Sequence, residues 1–393
     1  LVLLDWSHLK KLQFSVTLFV LNQIPRLPAN HLLPTWGLAM SALSSRSTVT
    51  IASQSHSYDV IIGSGVVKEQ LQTNNHFIVA DSRFQPMLEQ LGKTTCVYVD
   101  AVESAKNLST VEEIIVALQR SGVRRDSTVL ALGGGIIQDV VTLAASLYMR
   151  GIKWHYAPTT LLAMADSCIG GKSSINTTTI KNLIGNIYPP QSVFVDTDFV
   201  LTLPETEVLG GLAEAAKICF CKGPTEFEGF LKFGSTSTPA NLDAMLPYVL
   251  DIKKWFIQVD EFDMAERKQL NFGHTFGHAL EVGSDHGIPH GLAVASGMRA
   301  ALLFESQTRD LSGVEKQLFD YTSILIPSIA ERWPVSAIDW DTYANAFNAD
   351  KKHGVSNYCL ILPNSSGGVR VQHIPKSETT LNNIVDAQKM SLS

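Results

Sequence analysis

Through the first half of the chain, short apolar runs ending on a glycine or a carboxylate alternate with amphipathic stretches. Tyr58-Asp-Val-Ile-Ile62 runs into a glycine turn at Gly63 and Gly65, and Phe77–Ala80 ends at Asp81. Thr95–Val99 is another such run, and Thr128–Leu132 leads straight into Gly133-Gly134-Gly135. Helical periodicity lies between them, as over Val111–Arg120. Short β-rich runs alternating with helices predict a mainly parallel sheet. After Pro204 the texture changes. Glu205–Lys222, Leu242–Phe262, Gly291–Thr308 and Ser312–Tyr321 carry helical patterns, and strand signals are few. The pattern predicts an α/β N-terminal domain over 40–204, followed by a mainly α-helical C-terminal domain over 205–393. No internal repeat or low-complexity tract is visible.

The 393 residues, 45% hydrophobic, are enough for two ordinary cores. A net charge of -6 gives no basic face for nucleic acid or an acidic membrane, so an anionic ligand would need cations gathered locally. Five cysteines (Cys96, Cys168, Cys219, Cys221 and Cys359) form no CxxC pair, which argues against a disulfide framework or a zinc-thiolate site and fits a cytoplasmic protein. Within residues 1–39 the apolar run Leu12–Leu21 follows Lys10 and Lys11 but is too short to span a bilayer. Met40-Ser-Ala-Leu-Ser-Ser reads like a natural start. We therefore expect 1–39 to be a poorly ordered extension rather than a targeting segment.

Three constellations carry chemistry. Strand, glycine cluster and helix start over Leu130–Asp139 suit a pyrophosphate, because glycines allow close approach and a helix N-terminus offers free N–H groups. The spacing is not GxGxxG, and three glycines also make a tight structural turn. Asp81 is placed to accept from a ribose hydroxyl, though a strand-end turn needs the same residue. His274 and His278 stand four apart, on one helix face, with His290 twelve residues on. Glu214 lies in Gly210-Gly-Leu-Ala-Glu-Ala-Ala-Lys217, among small residues that let a ligand approach. One carboxylate with imidazoles suits a catalytic zinc site; three of these four could be ligands and the fourth could contact substrate. Finally, Arg150, Lys172, Lys181-Asn182, Lys217, Lys253, Arg267 and Asp350-Lys351-Lys352 sit among glycines and small polar residues. Cations beside a metal imply an oxygen-rich polyanion such as a phosphate or carboxylate.

The runs Gly133-Gly-Gly-Ile-Ile-Gln-Asp139, Tyr148-Met-Arg-Gly151, Pro158-Thr-Thr-Leu-Leu162, Asp166-Ser-Cys-Ile-Gly-Gly-Lys172, Lys181-Asn-Leu-Ile-Gly185 and Asn271-Phe-Gly-His-Thr-Phe-Gly-His278 resemble, in order, the motifs of the 3-dehydroquinate synthase family. The likeness covers roughly residues 58–365. It implies an enzyme that binds NAD and a divalent metal, zinc or alternatively cobalt, and acts on an anionic sugar phosphate as a homodimer. It implies metal ligation by Glu214, His274 and His290, with His278 on the substrate side. Arg150 (reaching the neighbouring subunit), Asp166, Lys172, Asn182, Lys217, Lys253, Arg267, Asn271 and one of Lys351 or Lys352 would line the substrate pocket. NAD would contact Asp81, Glu103, Lys106, Gly134, Gly135, Asp139, Thr159, Thr160, Asp166, Lys181, Thr202 and Leu203. Glu103 and Lys106 enter through the resemblance alone.

The resemblance further implies transient oxidation of a substrate alcohol, elimination of phosphate and ring closure, with NAD regenerated. Retention of Arg267 and Lys253 beside Lys172 and Asn182 favours a substrate with a carboxylate as well as a phosphate, hence 3-deoxy-heptulosonate 7-phosphate closing to 3-dehydroquinate. There are departures. Gln138 stands where the family usually has glycine, Ser173 follows Lys172 in place of threonine, and Leu292 replaces the glutamate of His-Gly-Glu, removing a partner for a metal-ligating histidine. Cyclases making valiolones, deoxy-inosose or aminodehydroquinate share most of this frame. A metal-dependent polyol dehydrogenase shares the glycine cluster and clustered histidines but has no use for Lys172, Lys181, Arg267 and Asp350-Lys351-Lys352, and a binding protein without activity has no use for a complete metal and cation set.

Overall fold

A computed structural model describes residues 46–393 apart from 75 and 179; the expected 1–39 extension lies outside the described residues. Ser47–Ala52 (β1) and Ser57–Ile62 (β2) open the sheet as an antiparallel pair. The chain then runs through Val66–Thr73 (α1), Phe77–Asp81 (β3), Gln85–Gln90 (α2), Cys96–Val99 (β4), Leu108–Arg120 (α3), Thr128–Gly133 (β5), Gly135–Leu147 (α4), Lys153–Pro158 (β6) and Ser192–Val195 (β7). The seven strands lie in the order β1-β2-β7-β6-β5-β3-β4, parallel except at β1. Every residue of β3 and all but the first of β5 are buried, as continuous apolar runs in a sheet covered on both faces require. At the edge, β1 alternates buried and exposed positions, the mark of a strand with one covered face.

From β3 the chain steps outward to β4 and returns past β3 to β5. The strand order therefore reverses between β3 and β5, and the carboxyl ends of these two strands carry Asp81 and Gly133. Open α/β sheets bind ligands in the crevice at such a point.

Beyond β7 the chain is mostly helical: Glu205–Lys222 (α5), Pro224–Leu231 (α6), Pro239–Val259 (α7), His274–Gly283 (α8), His290–Ser306 (α9), Gly313–Leu325 (α10), Pro327–Arg332 (α11) and Trp340–Asn348 (α12). A hairpin of Asn357–Pro363 (β8) and Val369–Pro375 (β9) follows, then Glu378–Ser391 (α13). The hairpin departs from the expectation of few strands in this half; its second strand alternates in burial, a short period-2 signal beside much longer helical ones. The helix expected over Leu242–Phe262 stops at Val259. There Asp260 accepts from the N–H groups of Met264, Ala265 and Arg267 at 2.8, 2.6 and 3.1 Å, turning the chain away.

Helix α9 is the axis of this half and is buried along almost its whole length. Two glycine contacts set how closely its neighbours approach. A Cβ on Gly291 would fall 2.5 Å from the Gly210 backbone of α5, and one on Gly297 would reach the Gly277 nitrogen of α8 at 2.8 Å. Helix α7 packs on β1 and β2, joining the two halves. No helix among the described residues is long and apolar enough to cross a membrane.

Candidate active site

The glycine seams explain why distant residues converge. Gly210 touches Gly291 one turn before Glu214 and one residue after His290, so close approach of α5 and α9 brings that carboxylate to that imidazole. Glu214 Oε1 stands 3.5 Å from His290 Nε2 and 3.8 Å from His274 Nε2. Ligand atoms sharing one tetrahedral ion at about 2.0–2.2 Å lie roughly 3.3–3.6 Å apart, so this spacing needs little adjustment. His274, His278 and His290 each place one nitrogen within 4.8 Å of the others.

The tautomers also suit a metal. His274 Nδ1 faces the Phe272 carbonyl at 3.2 Å and His290 Nδ1 faces Glu281 Oε1 at 3.0 Å. Each Nδ1 can donate to that oxygen, so a cation that displaces any Nε2 proton finds both Nε2 atoms, which face Glu214, free to bind it. The donor set fits a divalent cation. Burial, reinforced by Lys217 and the neighbouring imidazoles, holds His274 neutral, well below its ordinary range. Burial and His290 push His278 down to about 4. His290 is pushed up to about 10: burial opposes its charge, but Glu214 and Glu281 outweigh it. The two carboxylates thus make this a point that favours positive charge. Glu281 also answers the Leu292 departure. Leu292 is fully buried, and the carboxylate that orients His290 comes instead from α8.

A buried chain of charges leads from the metal candidates to the sheet. Lys217 hydrogen-bonds Glu214 Oε2 and stands 3.1 Å from Asp166 Oδ2, and Lys253 stands 2.6 Å from Asp166 Oδ1. Burial pushes the Asp166 carboxyl up, but the two ammonium groups outweigh it and hold it well below its usual range. Lys217 is raised, its two carboxylates overcoming burial, whereas Lys253 is lowered because burial exceeds the pull of Asp166. Asp166 lies in a π-helical turn over Ala163–Ser167, a rare form that recurs frequently at functional sites.

Arg267 is buried, 4% exposed, on a turn between α7 and α8 rather than on an open helix face. It donates to the carbonyls of Glu261 at 2.6 Å and Gly170 at 3.4 Å. Lys172 lies nearby and pairs with Asp263 at 2.7 Å. Lys352 reaches Thr275, beside His274, at 3.5 Å and pairs with Asp350 at 3.3 Å, whereas Lys351 is exposed and joins no charged group among the described residues; of the two lysines the fold brings Lys352 to the site. Asn271 donates to the Lys268 carbonyl at 3.0 Å.

Other expected residues gather elsewhere. Asn182, anticipated in the substrate pocket, accepts from Lys106 at 2.7 Å; Lys106 also pairs with Asp139 at 2.8 Å, and Glu103 accepts from Asn176 at 2.7 Å. Asn182 thus sits with Lys106 and Asp139, two residues expected to contact NAD. Burial lifts the Asp139 carboxyl to about 6 against the pull of Lys106. Lys181 is exposed and meets His286 Nδ1 at 3.2 Å. Asp81 is engaged by Arg83, whose N–H and Nε reach its two oxygens at 3.2 and 3.0 Å. Thr159 donates its N–H to the Gly133 carbonyl, Thr160 caps Ala163, and Thr202 donates to the Phe199 carbonyl beside Leu203. Arg150 is exposed and makes no ion pair among the described residues; it and Met149 hold φ of 64° and 50°.

The nucleotide candidate passes a steric test. A Cβ on Gly134 would meet Thr160 Cγ2 at 2.9 Å, so that glycine already serves internal packing. A Cβ on Gly135 would meet nothing within 4 Å, leaving open space at the start of α4 where a pyrophosphate would lie. Sequence reasoning missed Asp263 and Glu281. Both are lone carboxylates in ordinary helical or turn context, and only their cationic or imidazole partners mark them.

Family models described as 3-dehydroquinate synthase N-terminal and C-terminal match residues 96–210 and 211–353. A protein of Amycolatopsis mediterranei provisionally named aminodehydroquinate synthase is 33% identical over 344 residues, 85% of this chain and 93% of its own. A 3-dehydroquinate synthase of Pelagibacter ubique is 32% identical over 355 residues, 84% and 96% of the two chains. A crystal structure of 2-deoxy-scyllo-inosose synthase, complexed with carbaglucose-6-phosphate, NAD+ and Co2+, superposes with a TM-score of 0.73 at 23% identity, covering 88% of this chain and 99% of that one. This last likeness speaks for the fold. The chain belongs to the 3-dehydroquinate synthase family and is an enzyme of the sugar phosphate cyclase type.

Proposed function

We propose that the chain is a 3-dehydroquinate synthase, closing a 3-deoxy-heptulosonate 7-phosphate to 3-dehydroquinate with release of phosphate. The observation that carries the substrate choice is Arg267. Arg267 is 4% exposed, its side-chain donors go to carbonyl oxygens, and it forms no direct ion pair among the described residues, the nearby Asp263 being paired with Lys172. A buried guanidinium without an anion in direct contact is costly, and a substrate carboxylate lowers that cost. A phosphate at the other end then falls to separate groups, the Lys352 ammonium with the neutral His278 imidazole, while Lys172 adds positive charge beside Arg267.

NAD and a divalent metal, zinc in our reading with cobalt as the alternative, supply on binding a hydride acceptor and a Lewis acid. Glu214, His274 and His290 would hold the metal, while Asp81, Gly134, Gly135, Asp139, Thr159, Thr160, Lys106 and Lys181 would hold the dinucleotide. The chain's own groups do the rest. Lys217 and Lys253, fixed by Asp166, position the substrate hydroxyls, and the cations around the phosphate stabilise it as it leaves. We assign nucleotide binding to 40–204 and metal and substrate binding to 205–393. Exposed Arg150 is assigned to a neighbouring subunit's site in a cytoplasmic homodimer.

Competition between equal amounts of the keto-acid phosphate and sedoheptulose 7-phosphate tests the reading. The keto-acid should be consumed first, with phosphate released and no net NADH. Preference for the carboxylate-free sugar would overturn the substrate assignment.

A further inference from the structure

Gln138 is buried, 3% exposed, in the first turns of α4. A long amide enclosed there needs both its donor and its acceptor met, and one residue meets both. Gln138 Nε2 donates to the Ser167 carbonyl at 2.7 Å, and Ser167 Oγ donates to Gln138 Oε1 at 2.6 Å. Ser167 is the last residue of the π-helical turn and directly follows Asp166. The turn is closed by an i-to-i+5 bond from the Cys168 N–H to the Ala163 carbonyl at 3.0 Å. A wider turn of this kind holds its shape only where its surroundings determine it.

The clasp lies between two working parts. At one end, α4 begins at the Gly134–Gly135 turn assigned to the dinucleotide, and the Gln138 N–H itself bonds the Gly134 carbonyl at 3.1 Å. At the other, Asp166 holds Lys217 and Lys253, and Lys217 holds Glu214. The neighbouring Asp139 accepts from the Ser174 N–H at 2.9 Å, so consecutive residues of α4 grip the segment on either side of Ile169–Gly171.

We propose that Gln138 is a positioning residue: through its two bonds to Ser167 it sets Asp166, and thereby the two ammonium groups, in register with the cofactor turn. This rests on the cyclase reading of the site. Loosened ammonium groups still attract an anion but no longer stand at fixed points while the substrate reacts. Loss of the clasp should therefore lower kcat and leave KM nearly unchanged.

The test compares wild type, Gln138→Met, Ser167→Ala and the double variant, with NAD and metal present. Methionine keeps the volume of glutamine without its hydrogen bonds. We expect kcat to fall about 10- to 100-fold in Gln138→Met, with KM and NAD affinity within about threefold of wild type. Ser167→Ala should fall less, and the double variant no further than Gln138→Met, since both substitutions cut one unit. Amide exchange should quicken over 163–168 and not in the rest of the sheet. Wild-type kcat in Gln138→Met, losses that multiply in the double variant, or equal losses of NAD affinity and activity would each overturn the proposal. Should Gln138→Met fail to fold, Ser167→Ala decides it by the same kcat and KM split. Inactivity of the wild type on the keto-acid phosphate would instead count against the substrate reading, and the exchange pattern would still judge the clasp.

Discussion

Replacing Lys217 by methionine puts the electrostatics of the site under strain in a way that metal should relieve. The side chain is 2% exposed, and its ammonium bridges Asp166 Oδ2 at 3.1 Å and Glu214 Oε2. Methionine retains the length and the packing and removes only the charge. Asp166 keeps Lys253 at 2.6 Å, so the carboxylate that loses most is Glu214, itself 1% exposed and left with His290, 3.5 Å away and shared with Glu281. Breaking a buried ion pair from one side costs about 3–5 kcal/mol. At about 1.2 °C per kcal/mol for a chain of this size, Tm should fall by about 4–6 °C in chelator. A dication on Glu214 supplies the missing positive charge, so saturating zinc should return most of that loss. Activity should not return with it, because the metal does not replace a hydrogen-bond donor to the substrate; we expect kcat to remain at least about 100-fold down. The assay is paired thermal melts with and without metal, alongside phosphate release. A melting loss of the same size in chelator and in zinc, or none in chelator, would show that Lys217 does not neutralise Glu214 and would refute the reasoning.

His274→Ala should bind less than about a tenth of the wild-type metal by elemental analysis; full occupancy would remove His274 from the ligand set. Gly135→Ala places a methyl where the protein itself offers no contact within 4 Å. It should weaken NAD binding by calorimetry at least about tenfold with little change in Tm, and unchanged affinity would mean the turn is purely structural. On the sheet's underside, burial with His76 and Lys153 pushes the His155 imidazole down to about 4. The unfolded imidazole takes its proton below about 6.5, the folded one only near its lowered value, so stability is full above that window and falls by about 3 kcal/mol as pH drops through it. Urea melts of His155→Asn should lose much of this slope, and an identical slope would place the acid sensitivity elsewhere.

Read alone, the sequence determined the local elements and the chemistry they carry. Helix α5 falls on Glu205–Lys222 as its pattern predicts, and β2, β3, β4 and β5 lie on the apolar runs that announced them. Periodicity and capping act over a few residues, so they can be read from a few residues. The histidine pair at 274 and 278 was equally legible, because four-residue spacing on a helix fixes a shared face. Pairings across the chain belong to the tertiary structure. The partner of His290 is Glu281 rather than a residue beside it, Lys352 rather than Lys351 turns toward His274, and Asn182 joins Lys106. The fold also decided that Arg267 is buried while the equally basic Arg150 is exposed. None of these follows from composition or period. They depend on how far α5, α8 and α9 approach one another, and that is set by glycine contacts between residues 81 positions apart at Gly210 and Gly291 and 20 apart at Gly277 and Gly297. A charged side chain carries no local signal of its partner; only the packed helices bring the two within hydrogen-bonding distance, and burial then makes the pairing strong.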